Sequence, residues 1–572
     1  MRFVFLFRMV PIVTVISVAA LVSAAEPGLI AHWKLAGDAT DSSGRGRNAV
    51  RHNADLRIDS FDGLGEFLEV SDSAVFDFGN ADFSIALRVQ AEACVNDAFG
   101  DLVSKFDPVT RRGFVLTIGG NTSGYNAQSD VRQLFFGTDN GTAGKWVDCG
   151  RPSGKTHISD SLTVFNGELY AAICDGETEE DWAHVYKYKG GKNWEDCGRL
   201  GTQKTRGVLP MIVHNGELYA ATTNAHPSST TEIDKHDPGR VYRYLGGTGW
   251  EDLGQPGDSH RQNAMASFAG KLYISGGVNR LKPGFIYVYD GNKEWREVGC
   301  FKGLPHTMCV HNDRLYTAYP QGEVYAFDGE HWDRLGNPLG SLADCNQLHA
   351  MGVYQGELYV GSWPLGKMSV LRDGKWMDLG RLGDATEIVG VNSYNGCLYV
   401  GTIPRAEVFR FDGRDHWTSV GRLFDPPGFA SLLVGQSGDG VKDWSRASSL
   451  AVYDGKLFAS TATCYRTRMV EPMPNEVRGK VFSFSTGNAV SYDRDLGSVW
   501  RDIAAVREGK RLRLYVDGDQ VSVREGEVID VSNDAPLRIG FGPQSHFRGK
   551  MENVRLYDRA LSADDVRSLR KR

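Results

Sequence analysis

Eight polar residues in this 572-residue chain stand in one kind of place. His157, Arg206, His260, Arg261, His306, His349, Glu387 and Arg446 each lead into an apolar run that ends in a tight turn and a Leu-Tyr or Leu-Phe pair. Arg and His gathered at one spot favour an anionic ligand, such as an acidic polysaccharide. His and Arg beside a Glu are also the material of proton abstraction or glycosidic chemistry. Spacing does not show that these side chains converge. The sequence holds no G-x-S-x-G, H-E-x-x-H, Walker loop or paired C-x-x-C, so no catalytic set is assigned. A net charge of −7 leaves no basic footprint for nucleic acid.

The elements behind these residues repeat. "LTVFNGELYAA" (162–172) recurs as "MIVHNGELYAA", "MASFAGKLYIS", "MCVHNDRLYTA", "MGVYQGELYVG", "NSYNGCLYVG" and "LAVYDGKLFAS". Asn-Gly and Asp-Gly favour two-residue hairpin turns, because both central residues need positive φ. A second signal runs in step, as in "RVYRYLGGTGWEDLG" (240–254): a third strand, a Gly turn and a Trp strand. The Trp strands centre on Trp146, Trp194, Trp250, Trp295, Trp332, Trp376 and Trp417. Four short strands in a unit of about 40 to 60 residues predict a seven-bladed, kelch-like β-propeller. The first Trp strand, "KWVDCG", precedes the first hairpin, and the last hairpin lacks one. "KWVDCG" is therefore expected to complete the last blade and close the ring, leaving no exposed edge. The eight polar residues then surround one mouth of the axial channel. Trp182, Trp363 and Trp444 fall outside the repeat, as candidates for stacking on sugars. Cys174 with Cys197, and Cys464 with Cys149, lie at equivalent strand ends of two blades, which makes both pairs candidate disulfides.

The flanks do not repeat. They carry alternating strands bounded by Gly, Asp and Asn, which suggest a sandwich. The opening "W-x-L…D-S-S-G" and the closing "GKMENVRLYDRALS" resemble the laminin-G-like, concanavalin A-like jelly-roll family of secreted bacterial proteins. That resemblance covers residues 28 to about 140 and about 498 to 569. It implies a structural calcium ion near the loop "DATDSSGRGRN", with Asp41, Asn48 and Glu552 as ligands and Asp38 as an alternative. The family usually has Asp where this chain has Glu552. Neither flank is a whole domain, so the propeller is read as inserted into a loop of the jelly roll.

Residues 1–25 read as a signal peptide: Arg2 and Arg8, an apolar run, then Ser23-Ala24-Ala25. The expected order is signal peptide 1–25, first half of the jelly roll 26–140, propeller 141–498 and second half 499–572. The fold class is all-β. The expected function is non-catalytic binding of a glycan or a cell-surface or matrix partner by a secreted, periplasmic or extracellular protein. Neither nucleic acid nor a transmembrane span of the mature chain is expected. One alternative is a polysaccharide-active hydrolase or lyase with its site at the channel mouth; another is a structural or interaction protein of the cell envelope.

Overall fold

The computed structural model describes residues 26–53, 60–94, 99–123, 127–153, 156–176, 182–224, 237–278, 282–319, 321–423, 443–465 and 478–570. The proposed signal peptide lies outside them. Among these residues seven four-stranded antiparallel blades form a ring. Their innermost strands are Thr156–Phe165, Gly207–His214, Arg261–Phe268, Thr307–His311, Cys345–Tyr354, Glu387–Tyr394 and Asp443–Tyr453, for blades 1 to 7. Each innermost strand packs on the next, and blade 7 packs on blade 1. The outer strand of blade 7 is Lys145–Asp148, paired antiparallel with Val481–Ser485. The ring thus closes with a strand from the start of the propeller.

The turns form as their chemistry requires. Both central residues have positive φ in all seven hairpins, for example Asn166 at 50° with Gly167 at 83°, and Asp454 at 49° with Gly455 at 62°. The Trp residues join neighbouring blades. Each indole N–H donates to a carbonyl on the outer edge of the preceding blade, at 2.9 to 3.2 Å, from Trp146 to Val420 round to Trp417 to Leu379. Six of the seven rings also pack on an aromatic of their own blade, as Trp250 does on Tyr244, while Trp376 faces Leu371. A buried polar tip that finds a partner is the ordinary state of tryptophan.

The jelly roll interleaves both ends of the chain. One sheet has the order Leu29–Trp33, Arg548–Tyr557, Phe83–Ala91, Arg501–Glu508, Arg511–Val516 and Asp519–Glu525. In the other, Leu537–Ile539 lies between Phe67–Val70 and Asp101–Asp107. The core between them draws on Trp33, Phe83, Phe114, Phe136, Leu514 and Met551. Each half alone would leave open edges and half a core. The chain returns to the sandwich through Asn488–Tyr492, which pairs with Leu134–Thr138 upstream of Trp500. At this neck Asp139, wholly buried, accepts the amides of Asn140 and Gly141 and the hydroxyl of Thr486.

One hairpin of the jelly roll shapes the propeller. Its strands, Arg112–Ser123 and Ala127–Asn140, are longer than the sandwich needs, and they run into the axial channel. They lie against the innermost strands of blades 1, 2, 3, 4, 6 and 7. Ala127 and Gln128 pair in parallel with Met265 and Ala266. Val310 N–H donates to Gln128 Oε1 at 2.6 Å, Val213 N–H to Ser129 Oγ at 3.0 Å and Asn215 N–H to Asp130 Oδ2 at 2.8 Å. These partners stand near the finishing ends of their strands. The hairpin plugs the channel from the sandwich side, and the starts of the innermost strands surround its other end, the cup.

Candidate functional site

The cup is built by the starts of the innermost strands. His157, Arg261 and Glu387 lie in the first two positions of theirs, and Arg206, His260 and His306 lie just before theirs. His349 and Arg446 sit a few residues in. Six of the seven innermost strands carry a register irregularity near this end; of the two in blade 5, one falls between Leu348 and Ala350 and so spans His349. Bulges re-aim a side chain without ending the pairing.

Three of the predicted residues meet, from three successive blades. Nδ1 of His349 stands 3.0 Å from Oε1 of Glu387, with side chains only 11% and 13% exposed. Nε2 of His349 stands 3.2 Å from Nδ1 of His306, and the two rings are 4.4 Å apart. The side-chain oxygen of Gln347, Oε1, also stands 2.9 Å from His349 Nε2 and accepts there when that nitrogen carries its proton. A carboxylate thus orients one imidazole, which orients a second.

The basic residues stand at the starts of innermost strands in other blades. Arg206 stacks on Trp182, its guanidinium 5.6 Å from the ring, and its backbone N–H donates to Asn224 Oδ1. Asn224 N–H in turn donates to the His260 carbonyl, tying blade 2 to blade 3. Nδ1 of His260 is buried with no hydrogen-bond partner. Arg261 Nε donates to Asn263 Oδ1 at 2.7 Å. Arg446 lies 5.0 Å over Trp444. Trp363 pairs across its blade with Gln347, so all three tryptophans outside the repeat stand beside the cup's residues. For His157 only the strand position is described.

The sequence reading missed Gln347, Asn224 and Arg405. Arg405 comes just after the second strand of blade 6, bridges in parallel to Ser445 of blade 7 and lies 3.7 Å from Asp384. Aligning the repeats on the residues after each second strand, as well as on those before each first strand, would have found it.

The calcium residues do not share an oxygen cage. Asp41 accepts from the backbone of His32, Ser43 and Arg47 and from the Ser43 hydroxyl, so N–H and O–H donors take both its oxygens. Burial alone would raise its carboxyl; these bonds hold it below the usual carboxylate range. Asn48 Oδ1 accepts the Asp41 amide, and Glu552 turns to Arg88 at 3.4 Å. Asp38 accepts the Thr40 amide. The loop is a hydrogen-bonded turn of the kind Asp and Ser build, and the donor set does not fit a calcium ion. Elsewhere in the sandwich an ammonium fills an oxygen cage. Lys105, 1% exposed, has Nζ 2.7 Å from Asp72, 3.3 Å from Asp77 and 3.0 Å from the Ala535 carbonyl, and it also donates to the Asn533 carbonyl. Among the described residues no group of three or more His, Cys, Asp or Glu is placed to hold a metal ion.

The two proposed disulfides are corrected. Cys149 and Cys197 are buried free thiols. Cys174 lies on Glu168–Gly176 and Cys197 on Trp194–Arg199, with His184–Tyr188 between them. Val481–Ser485 likewise separates Cys464 from Cys149. Two strand spacings are about 9.5 Å, beyond the Cα separation of about 4.4 to 6.8 Å that a disulfide spans. Cys197 instead packs with Tyr170 and Tyr244, and Cys149 with Tyr188 and Trp194.

The fold and its closure define an all-β protein in which a β-propeller interrupts a jelly roll. Residues 444–567 match the family model Laminin_G_3, described as the concanavalin A-like lectin/glucanases superfamily. The jelly roll is therefore of laminin-G type. No curated protein matches the chain. Similar solved structures include a catalytically inactive virginiamycin B lyase from Staphylococcus aureus with quinupristin, at 11% identity over 60% of this chain and 99% of that one, TM-score 0.42. Trypanosoma rangeli sialidase with the inhibitor DANA is 13% identical over 75% and 98%, TM-score 0.31. The WD40 propeller of Doa1 is 9% identical over 60% and 97%, TM-score 0.39. At such identities and scores these likenesses say nothing of what this chain does. Among the described residues no helix is long and apolar enough to cross a membrane.

Proposed function

We propose that this is an exported protein that binds an acidic polysaccharide in the cup of its propeller. The observation that supports this is the cup's composition: four arginines (206, 261, 405 and 446) and the histidines at 260, 306 and 349 stand round a plugged channel. The carboxylate among the eight predicted residues, Glu387, is matched by His349. Guanidinium groups bind carboxylates and sulfates in a bidentate manner, and the neighbouring Trp182, Trp363 and Trp444 offer faces on which sugar rings stack. Cationic groups lining a concave site also concentrate a polyanion near its mouth. The jelly roll holds the floor of the cup in place through its hairpin and adds a second carbohydrate-binding surface. Exposed large apolar residues such as Val147, Leu245 and Met377 are scattered singly, which does not favour a protein-docking face.

Retention on immobilised polysaccharides tests this reading. The protein is expected to stay on polyuronates and sulfated glycans, to elute as salt rises and to pass through neutral glucans. Equal retention on neutral and acidic matrices, or none on either, would overturn it.

A further inference from the structure

We propose that the jelly roll carries a pocket of its own, beside the C-terminal helix, where Arg555 binds the carboxylate of a short aliphatic monocarboxylic acid. The site is separate from the cup and stands on other residues. Arg555 lies on the strand Arg548–Tyr557. Its neighbours Val554 and Leu556 belong to the sandwich core, so its own side chain leaves by the outer face of the sheet. On that face Val566 of the helix Ala563–Leu569 clusters with Ala86, Ala504 and Tyr557. A cavity of about 290 Å³ adjoins this cluster and has Arg555, Ala86, Ala504 and Leu569 in its lining. Arg555 faces Ala86 across one strand pair, and Ala86 faces Ala504 across the next. Two small side chains in a row leave the floor open.

Arg555 is 9% exposed, and its charge is unmatched. Its Nε is buried without a hydrogen-bond partner, and its Nη1 reaches only the Asn553 carbonyl, at 3.5 Å. Among the described residues it forms no ion pair, whereas the similarly buried Lys105 has Asp72 and Asp77. A buried cation in that state is costly, and an anion on Nε removes the cost. The other arginines of the pocket are matched. Arg88 lies 3.4 Å from Glu552 and 4.9 Å over Trp500, and Arg570 lies 3.4 Å from Asp502. His32 faces Arg555 across the strand pair and contacts Asn553 Oδ1 through Nε2. Burial first, then the charge of Arg555, holds its imidazole below the usual range, so the ring adds no charge at neutral pH. One positive charge remains, on Arg555.

The surroundings set the class of ligand. One unmatched charge selects a monoanion, and a guanidinium fork fits the two oxygens of a carboxylate. Asp502 and Glu552 at the rim repel a second carboxylate. Ala86, Ala504 and Leu569 offer an apolar bed for the carbon end. The volume is at the lower end of small-molecule pockets, which suits a short chain and no bulky one.

The test titrates the full chain with sodium butyrate, acetate, succinate and sulfate at matched ionic strength and neutral pH, by calorimetry, and records thermal midpoints without ligand. Butyrate should bind wild type about tenfold more tightly than acetate, since its added methylenes meet the apolar bed. Succinate and sulfate should bind at least tenfold more weakly than butyrate. Arg555→Met should abolish binding, yet its midpoint without ligand should equal or exceed that of wild type, because an unmatched buried charge is replaced by an apolar chain of similar length. Leu569→Ala, at the end of the last helix, should keep acetate binding and lose most of the preference for butyrate. A lower midpoint in unliganded Arg555→Met would make Arg555 a structural residue and overturn the proposal. Butyrate binding that survives Arg555→Met, no carboxylate binding by wild type, or sulfate bound as tightly as butyrate would each overturn it too. None of these outcomes bears on the cup, whose arginines are tested separately.

Discussion

Nδ1 of His349 stands 3.0 Å from Oε1 of Glu387, and the two residues lie 38 positions apart on the innermost strands of adjacent blades. The pair exists only because blades 5 and 6 are neighbours in the ring and the register of blade 5 shifts at His349. The propeller turns a sequence repeat into a circle of first residues. That circle depends in turn on the latches between blades and on the sandwich that plugs the channel.

The Trp latches are expected to add up around the ring. Trp250→Phe keeps a ring against Tyr244 but removes the N–H that reaches the Cys197 carbonyl at 2.9 Å. It should cost about 1–2 kcal/mol, the net worth of a hydrogen bond whose buried partner is left unmade. Urea denaturation of the full chain followed by circular dichroism reads this as a lower midpoint with an unchanged slope.

The ammonium of Lys105 is an internal cation of the sandwich. Lys105→Met should lower stability by about 2–3 kcal/mol, less than a fully buried orphan charge would cost. The discount reflects Asp72 and Asp77, which keep 34% and 29% exposure and can be rehydrated. The thermal midpoint should fall in the variant, and chelators should leave the wild-type midpoint unchanged. A wild-type midpoint that drops on chelation would contradict a jelly roll held by its own cation.

Asp101 gives the protein a distinctive pH response. It lies where the sandwich meets the propeller and accepts the amides of Gln544 and Ser545. Burial pushes its carboxyl from 3.8 up to about 7 against those hydrogen bonds. Between these values the folded chain keeps a proton that the unfolded chain releases, so this group makes stability fall as pH rises from about 4 to about 7. Asp101→Asn should remove that fall: the midpoint of the variant relative to wild type should be higher at pH 7.5 than at pH 5. The same pH dependence in both proteins would contradict the burial assigned to Asp101.

Thiol chemistry separates the surface from the blade cores. Cys94 and Cys300 are exposed and should alkylate in the native protein. Cys149, Cys197, Cys345 and Cys397 should react only after unfolding, since thiols need exposure and thiolate character to react. Burial pushes the thiols of Cys345 and Cys397 up to about 12. Peptide mapping after timed alkylation reads both groups, and a Cys149 or Cys197 found in a disulfide would contradict the strand order of blades 1 and 7.

The propeller was legible because its determinants are local. Asn166-Gly167 and its relatives dictate their turns, and the offset between seven hairpins and seven Trp strands required Lys145–Asp148 to close the ring. The laminin-G likeness was legible from the two chain ends. The plug was not. "GFVLTIGG" and "DVRQLFFGT" read as ordinary sandwich strands, and nothing local says that their hairpin continues into a neighbouring module. The disulfide pairs failed for a related reason: Cys174 and Cys197 share a blade and a face, but an intervening strand keeps them apart. Lys105 carried a visible sign, a charged residue at an inward position of "DLVSKFD", whose partners at Asp72 and Ala535 come from distant parts of the chain. The eight cup residues were found as a set, while the contact of His306, His349 and Glu387 depends on blade order and on a bulge that spacing does not encode.

The central claim is that the cup binds an acidic glycan through its arginines. Calorimetric titration of a polyuronate oligosaccharide into wild type, Arg261→Ala, Arg446→Ala and the double variant tests it most directly, with Arg524→Ala on the jelly roll as control. The account predicts a loss of about tenfold in affinity for each cup variant, near 1.4 kcal/mol apiece, a weaker salt dependence in the double variant and no change for Arg524→Ala. Unchanged affinity in the double variant, or a loss confined to Arg524→Ala, would contradict it and move the binding site to the jelly roll.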